Sequence, residues 1–306
     1  MNAIYSKNKS HSKIKTPLPT VVFNVIGYVV LTIASLFCLI PFVMLISSSF
    51  SSEKSIALQG YSLWPHEFST AAYDMIFKVP MTVIRAYGVS IYVTATGTLL
   101  GLLIISMTAY VLSRKYFKYR FQVTFFFYFT TLFSGGLLSV YIFFIRYLNL
   151  KNSLIALILP MIVNVFYLLI MRTFIAEIPS SISESAKIDG AGEFRIYTTL
   201  ILPLSGPALA TIGLFLAIGY WNDWYHAMLY ISEHQKYPLQ YMLYNMLSAA
   251  EAMSRIARES SVVMADVPSR AVRLAMTVIA TGPILLVYPF VQKYFVKGVT
   301  IGAVKG

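Results

Sequence analysis

The sequence predicts an all-α integral membrane protein with six transmembrane helices and with both termini in the cytoplasm. Hydrophobic residues make up 58% of the 306-residue chain and charged residues only 12%, about half of the roughly 25% that is usual in soluble domains. Six windows without Lys, Arg, Asp or Glu reach or nearly reach the length of about 20 residues that a membrane-crossing helix needs. Basic residues cluster beside these windows. Together these features exclude a soluble fold.

The charge balance is strongly basic, with 24 Lys and Arg against 12 Asp and Glu and a net charge of +12. In a soluble protein this balance would indicate nucleic acid or an acidic partner. In so apolar a chain the position of the cations matters more, because Lys and Arg in short loops favour the cytoplasmic side. We therefore predict lipid as a partner and no nucleic acid.

Each window predicts one span. The first follows a polar, lysine-rich tail (residues 1–18), and its apolar stretch is longer than the roughly 7–15 residues of a cleavable signal peptide, so we expect it to remain in the protein. Charged residues bound the other windows. The predicted spans lie at about 20–50, 86–113, 121–145, 152–172, 202–223 and 272–294.

Basic residues set the predicted orientation. One cluster precedes the first span and another lies between the second and third spans. The two clusters are Lys7, Lys9, Lys13 and Lys15, and Arg114, Lys115, Lys118 and Arg120. An even number of spans places both termini on the same side, and the positive-inside rule makes that side cytoplasmic. The membrane domain (19–298) then contains a cytoplasmic loop at 175–203 and an extracellular segment at 223–270. A cytoplasmic tail follows it at 299–306.

The loop between the fourth and fifth spans has strong local signals. Pro179 is compatible with the start of a helix, and Ser181 with Glu184 has the spacing of a capping box. Gly190 can end the helix in the left-handed conformation. The residues that form its predicted apolar side are Ile182, Ala186 and Ile188. A short helix of this kind suits docking to a partner, but an amphipathic helix on the lipid surface explains the same residues.

Three stretches of this loop are Glu184-Ser185-Ala186, Asp189-Gly190-Ala191 and Leu200-Ile201-Leu202-Pro203. Their order and spacing resemble the EAA motif of binding-protein-dependent ABC importer permeases, with Ser185 replacing an Ala and Leu200 replacing an Ile. The resemblance implies the type I ABC importer permease fold. It also implies that the loop is a coupling helix docked in a groove of an ATP-binding subunit. The implied coupling residues are Glu184, Ser185, Ala186, Asp189, Gly190, Ala191 and Pro203.

Two further stretches resemble the carbohydrate importers of this family, in particular the maltose-permease-like members that handle complex oligosaccharides. One is Tyr220-Trp221-Asn222-Asp223-Trp224 at the end of the fifth span, and the other is the C-terminal region from Tyr288 to Gly306. Trp221, Asn222, Asp223 and Trp224 could line a sugar path with aromatic faces and hydrogen-bonding groups. They could instead form an aromatic belt at the bilayer interface or contact the extracellular binding protein. The resemblance also implies that Val304, Lys305 and Gly306 contact the ATPase, although the tail could equally be disordered.

The chain has no motif for energy conversion. It lacks the Gly-x-x-x-x-Gly-Lys-Ser/Thr phosphate loop and the His-Glu-x-x-His metal pattern. We therefore expect no catalytic residue, metal or cofactor in this chain, and we expect ATP and Mg²⁺ to be bound by a partner subunit. The chain is predicted to be a transporter subunit and not an enzyme.

The resemblance implies an assembly in the bacterial cell membrane. Its other members would be a second, different permease subunit, two ATPase subunits and an extracellular sugar-binding lipoprotein, and its cargo a sugar or oligosaccharide. Two alternatives remain, an ABC importer permease for a non-sugar solute and a polytopic membrane transferase. Gly97 and Gly101 predict close helix packing, which we expect against the second permease. Ser134-Gly135-Gly136 indicates either a kink or plain helix packing.

Overall fold

The computed structural model describes residues 17–78, 80–260 and 270–283, and these residues are predominantly helical. Within them a single bridge between Ser51 and Phe68 pairs extended backbone. The α-helices of the described residues are α1 (Leu18–Ser49), α2 (Glu53–Gln59), α3 (Ala71–Phe77), α4 (Pro80–Ser113), α5 (Arg120–Leu132), α6 (Leu137–Ile142), α7 (Ile155–Ile158), α8 (Val165–Ala176), α9 (Ser180–Ile188), α10 (Glu193–Ile196), α11 (Leu202–Leu204), α12 (Gly206–Trp221), α13 (Tyr225–Tyr230), α14 (Leu239–Ser260) and α15 (270–283).

Two helices are long and apolar enough to cross a bilayer alone, namely α1 and α4. The most apolar window of α1 has none of its residues buried within this chain. Only Ser47, Ser48 and Ser49 at its end are buried. The apolar surface of α1 must therefore face lipid or another chain.

The other apolar segments are broken into bent pairs. α5 meets the helical stretch Leu137–Tyr147 at 110°, and Ile155–Met161 meets α8 at 54°. The stretch Glu193–Leu204 meets α12 at 80°. If each pair counts as one span, the described residues hold up to five candidate spans, and α15 begins beside the start of the sixth predicted span.

Local chemistry explains where the helices break. Gly136 has a φ of 79° and precedes α6, so the glycine-rich stretch after α5 is a sharp turn and the window 121–145 is not a straight helix. Asn164 interrupts the window 152–172, because its Oδ1 accepts the backbone N–H groups of Phe166 at 3.0 Å and Tyr167 at 3.3 Å. This side chain caps the start of α8.

α4 is the central helix of the described residues and packs against both α8 and α12. A Cβ atom added at Gly97 would lie 2.5 Å from Cζ of Tyr220 in α12. One added at Gly101 would lie 3.2 Å from Cδ1 of Leu216. The two glycines therefore allow close packing inside the chain, and the expectation that they pack against the second permease is wrong for this face of α4.

Further contacts fasten the starts of α14 and α15 to the rest of the chain. The Ser90 hydroxyl in α4 accepts the backbone N–H of Leu239 at 2.8 Å, and both groups are buried. Oε2 of Glu53 in α2 accepts the N–H groups of Arg270 and Ala271, each at 2.9 Å. This carboxylate satisfies the first donors of α15 and carries the charge sign that a helix N-terminus favours.

Candidate functional site

The loop that resembles the EAA motif (residues 175–203, the EAA-like loop) is built around the short helix α9. α9 begins at Ser180, with Pro179 in the N-cap position and no side-chain cap. The predicted capping box is wrong, because the helix starts early enough to place Ser181 within its first turn. The fixed φ of Pro179 sets the direction of the chain at this start instead.

The end of α9 has the geometry of a Schellman motif. Gly190 adopts a φ of 81°. Its N–H donates to the carbonyl oxygen of Lys187 at 3.0 Å, and the N–H of Ala191 donates to that of Ala186 at 2.9 Å. Such a pair of bonds satisfies the last carbonyl groups of a helix and needs a left-handed residue between them. Gly190 therefore makes the turn after α9 compact.

The two sides of α9 differ. Ala186, and Ala191 just after the helix, pack against the buried cluster to which α4, α8, α10, the π turn and α12 contribute. Glu184, Ser185, Asp189 and Gly190 are exposed. Ile188 is 86% exposed and does not lie on the apolar side as predicted, because two residues after Ala186 correspond to roughly 200° around the helix. The exposed side thus combines carboxylates with a large apolar side chain.

The last residue of the motif lies in a different element. Pro203 is exposed and belongs to α11, directly after a π-helical turn at Tyr197–Ile201. A proline inside a helix removes one backbone hydrogen bond, and a π turn is a common way to accommodate the resulting mismatch. Pro203 therefore marks the bent approach to α12 and lies apart from the exposed side of α9.

Glu193, the first residue of α10, holds the EAA-like loop to α4. Its Oε2 accepts the hydroxyl of Tyr110 in α4 at 2.6 Å. Its Oε1 accepts the hydroxyl of Tyr116, in the connection after α4, at 2.6 Å and the Nζ of Lys187 in α9, also at 2.6 Å. We call these four residues, Glu193, Tyr110, Tyr116 and Lys187, the carboxylate cluster. Three donors from three segments thus converge on one carboxylate.

A second contact lies beside this cluster. Nη1 of Arg114 donates to Oγ of Ser183 at 3.0 Å, which joins the end of α4 to the buried side of α9. The guanidinium carbon lies 4.1 Å from the ring centroid of Tyr110, a cation–π geometry. Deeper in the same interface, the hydroxyl groups of Ser106 and Tyr197 share a buried hydrogen bond of 2.7 Å.

The cluster fixes the charge of its members. Partial burial alone would raise the pKa of the Glu193 carboxyl, but hydrogen bonds from Lys187, Tyr110 and Tyr116 outweigh it and hold the pKa at about 2. The same hydrogen bond to Glu193 raises the pKa of Lys187 above its ordinary value. Both groups are therefore charged across the physiological pH range.

The predicted sugar-path residues divide into two groups. Trp221 is buried, and its Nε1 donates to the carbonyl oxygen of Ala280 at 3.2 Å. The side chain of Asp223 is 8% exposed. It accepts the backbone N–H of His226 at 3.2 Å and lies 2.9 Å from Nδ1 of the same residue. Trp221 and Asp223 thus serve internal packing and the start of α13.

Asn222 and Trp224 keep exposed surface. Oδ1 of Asn222 accepts Nε2 of Gln240 at 3.3 Å in an exposed contact. The Trp224 ring stacks on Tyr244, with 4.2 Å between centroids, and is 37% exposed. An exposed aromatic face beside amide groups can bind a sugar ring. The remaining predicted site residues, Val304, Lys305 and Gly306, lie outside the described residues, as do residues 1–16.

Sequence reasoning missed Glu193 and its tyrosine partners. Tyr110 lies 83 residues from Glu193 along the chain, and Tyr116 lies 77 residues away. The one local signal was an acidic residue directly after Gly192, the position that favours a negative charge at the start of a helix. That signal indicates a helix start and says nothing of a distant partner.

No protein-family model matches the chain, but its similarity to several proteins is extensive. It is 39% identical over 287 residues to Protein LplC of Bacillus subtilis (strain 168), covering 93% of this chain and 95% of the relative. It is 38% identical over 284 residues to the polygalacturonan/rhamnogalacturonan transport system permease protein YtcP of the same strain, covering 93% and 98%. It is 30% identical to the trehalose/maltose transport system permease protein MalG of Thermococcus litoralis, covering 92% and 96%.

The fold is also similar to that of a solved ABC transporter. The structure resembles the crystal structure of a bacterial ABC transporter involved in the import of the acidic polysaccharide alginate, with a TM-score of 0.77 and 28% identity, covering 92% of this chain and 99% of that chain. The predicted resemblance to ABC importer permeases is thereby confirmed, and the alternative of a polytopic transferase is wrong. The chain belongs to the permease subunits of carbohydrate ABC importers.

Proposed function

We propose that the chain crosses the bacterial cell membrane six times, with both termini in the cytoplasm, and that the EAA-like loop docks onto an ATPase subunit. The basic clusters beside the first and second spans support this orientation. In this proposal α1 and α4 are two of the six spans and the three bent pairs are three more. The sixth span begins with α15.

The observation that carries the docking proposal is the two-sided structure of α9. On its inner side Ala186 packs against the buried cluster to which α4, α8, α10 and α12 contribute, while Glu184, Ser185, Ile188 and Asp189 are exposed. An isoleucine that is 86% exposed beside carboxylates suits a groove with an apolar floor and basic rims. Movement of the ATPase would then act on α9 and shift the spans between outward-open and inward-open arrangements.

As a permease subunit of an ABC importer, the chain is a transporter component and not an enzyme. Importers of this family work with a partner permease, an ATPase and a substrate-binding protein. We propose a heterodimer with a second, different permease, two ATPase subunits that bind ATP and Mg²⁺, and an extracellular sugar-binding lipoprotein. Val304, Lys305 and Gly306 are proposed to contact the ATPase pair.

The proposed cargo is an oligosaccharide, and within that class an acidic one. The relative YtcP is named as a polygalacturonan/rhamnogalacturonan transport permease, and the solved ABC transporter is involved in the import of the acidic polysaccharide alginate. Between α5 and α8, an open pocket of about 490 Å³ is lined by Arg120 and Arg172 together with Phe121, Phe125 and Tyr128. Guanidinium groups bind carboxylates and aromatic rings bind sugar faces, so this lining suits a uronic acid oligosaccharide. Asn222 and Trp224 are proposed to contribute to the path.

Docking is tested by purification of the tagged complex in mild detergent. Ile188→Asp is expected to lower the ATPase recovered per chain by about tenfold or more, because it places a charge at the centre of the proposed contact. The matched control is Leu58→Asp, since Leu58 in α2 is 75% exposed and lies outside the EAA-like loop. Equal ATPase recovery with both variants would contradict the docking proposal.

The cargo is tested by uptake in cells that carry the complete importer. We expect a galacturonate oligosaccharide to enter and to compete with its own labelled form. A neutral malto-oligosaccharide of the same length serves as the control. Uptake of the neutral sugar with no uptake of the acidic one would refute the acidic assignment while leaving sugar import intact.

A further inference from the structure

We propose that Glu193 is a positioning residue that couples movement of α9 to movement of α4. The inference rests on the proposed docking of α9 and adds the route by which α9 moves the spans. The carboxylate receives Lys187 from α9, Tyr110 from α4 and Tyr116 from the connection after α4, each at 2.6 Å. A displacement of α9 therefore acts on α4 through one rigid group.

The geometry makes this connection stiff. Hydrogen bonds to an ionised acceptor are shorter and roughly twice as strong as neutral ones. Nζ of Lys187 also lies 4.0 Å from the ring centroid of Tyr116, so two members of the carboxylate cluster contact each other as well as Glu193. Release of α9 from α4 would have to break all of these contacts together.

The exposure of Glu193 distinguishes a coupling role from a contribution to the core. Its side chain is 47% exposed and that of Lys187 is 40% exposed, and a pair of this exposure contributes little to folding stability. The buried contact between Ser106 and Tyr197 already holds α4 to the π turn that follows α10. The cluster is thus placed where it fixes the position of α9 and adds little to the stability of the fold.

The covalent path through the EAA-like loop leads to the same conclusion. After α9 the chain turns at Gly190 and continues to α12 through the stretch that begins at Glu193. Without the cluster, a pull on α9 would reach α12 along the backbone and would reach α4 through the single hydrogen bond from Arg114 to Ser183 and the side chains packed beneath α9. With the cluster, the pull reaches α4 and α12 at the same residue.

The experiment measures coupling in the complete importer reconstituted in liposomes, as sugar imported per ATP hydrolysed. For Glu193→Ala we expect this ratio to fall about two- to thirtyfold, the range produced by mutations that modulate coupling. ATPase recovery during purification should stay at the wild-type level, because Glu193 belongs to α10 and is not among the α9 residues proposed to contact the ATPase. Tyr116→Phe removes one hydroxyl from an exposed ring and should lower the ratio less.

The control is Glu233→Ala, which removes an exposed carboxylate paired with Lys236 at 2.9 Å outside the EAA-like loop. The control should import at the wild-type ratio. An unchanged ratio in both Glu193→Ala and Tyr116→Phe would overturn the inference. If Glu193→Ala fails to assemble, the ratio measured for Tyr116→Phe decides. If the wild-type chain brought down no ATPase during purification, the proposed docking would be overturned instead.

Discussion

Replacement of Gly97 by alanine is expected to destabilise the packing of α4 against α12. The added Cβ would lie 2.5 Å from Cζ, 2.6 Å from Cε2 and 2.8 Å from Cε1 of Tyr220. Carbon atoms in ordinary contact are about 3.5–4.0 Å apart, so the ring has to withdraw by about 1 Å. Tyr220 is 3% exposed, and its hydroxyl donates to the carbonyl oxygen of Ile158 at 2.9 Å. The ring is therefore buried and held at its far end by a hydrogen bond that its withdrawal would disturb.

Two contributions determine how much folding stability the Gly97→Ala substitution removes. Overpacking of a filled core costs about 1–3 kcal/mol, and the disturbed hydrogen bond to Ile158 adds about 1 kcal/mol. The expected loss is therefore about 2–4 kcal/mol, which lowers the melting temperature by roughly 4 °C or more at the slope known for larger domains. The assay is size-exclusion chromatography of the detergent-purified protein after stepwise heating.

The matched control is Gly88→Ala on the same helix, where an added Cβ meets nothing within 4 Å. This substitution should be neutral or slightly stabilising, because alanine favours a helix by about 1 kcal/mol over glycine. In a Tyr220→Ala background the effect of Gly97→Ala should vanish, because the obstructing ring is gone. Equal melting temperatures for Gly97→Ala and Gly88→Ala in the wild-type background would refute the close approach of α4 and α12.

Three further outcomes are expected. Gly190→Ala should weaken recovery of the ATPase, because φ is 81° there and a left-handed alanine costs about 1–2 kcal/mol; Gly192→Ala, at a φ of −73° with no atom within 4 Å, should not. The small stability that Glu193 contributes is fully present above its ordinary pKa of 4.5 and is lost as the pH falls towards the folded-state pKa of about 2. The difference in melting temperature between wild type and Glu193→Gln should then be constant from about pH 5 to about pH 8. Trp221→Ala should lower stability by about 3–5 kcal/mol, whereas Asn222→Ala should leave the melting temperature unchanged and raise the KM for sugar uptake.

The positions of the apolar segments could be predicted from the sequence, but the bends within them could not. Charge-free windows mark membrane segments because an ion in hydrocarbon is costly. The same windows carry little information on bends, which depend on single backbone positions. Gly136 turns the chain after α5, and Asn164 starts α8 with its own side chain. α4 also begins at Pro80, ahead of its charge-free window, because Arg85 is exposed and does not interrupt the helix.

The EAA-like loop shows the same limit. Its turn at Gly190 followed from a local rule, since glycine tolerates the left-handed conformation. The orientation of Ile188 did not, because the exposed side of α9 is determined by the helices beneath it. The contacts of Glu193 with Tyr110 and Tyr116 join residues far apart in the chain, and a single sequence contains no signal for such pairs. The end of the helix at Gly190 could therefore be predicted from the sequence, whereas the tertiary contacts of the loop could not.

The contacts of α4 explain how one loop could move the spans together. Ser90 near one end holds Leu239 at the start of α14, and Tyr110 near the other end holds Glu193. These points are about 30 Å apart on a straight helix, which is close to the thickness of the hydrocarbon layer, roughly 30 Å. Between them Gly97 receives Tyr220 of α12, whose chain leads back through the bend to Glu193. α4 and α12 are thus joined at two levels, so we expect a displacement at Glu193 to move them as a pair and to carry the start of α14 with them.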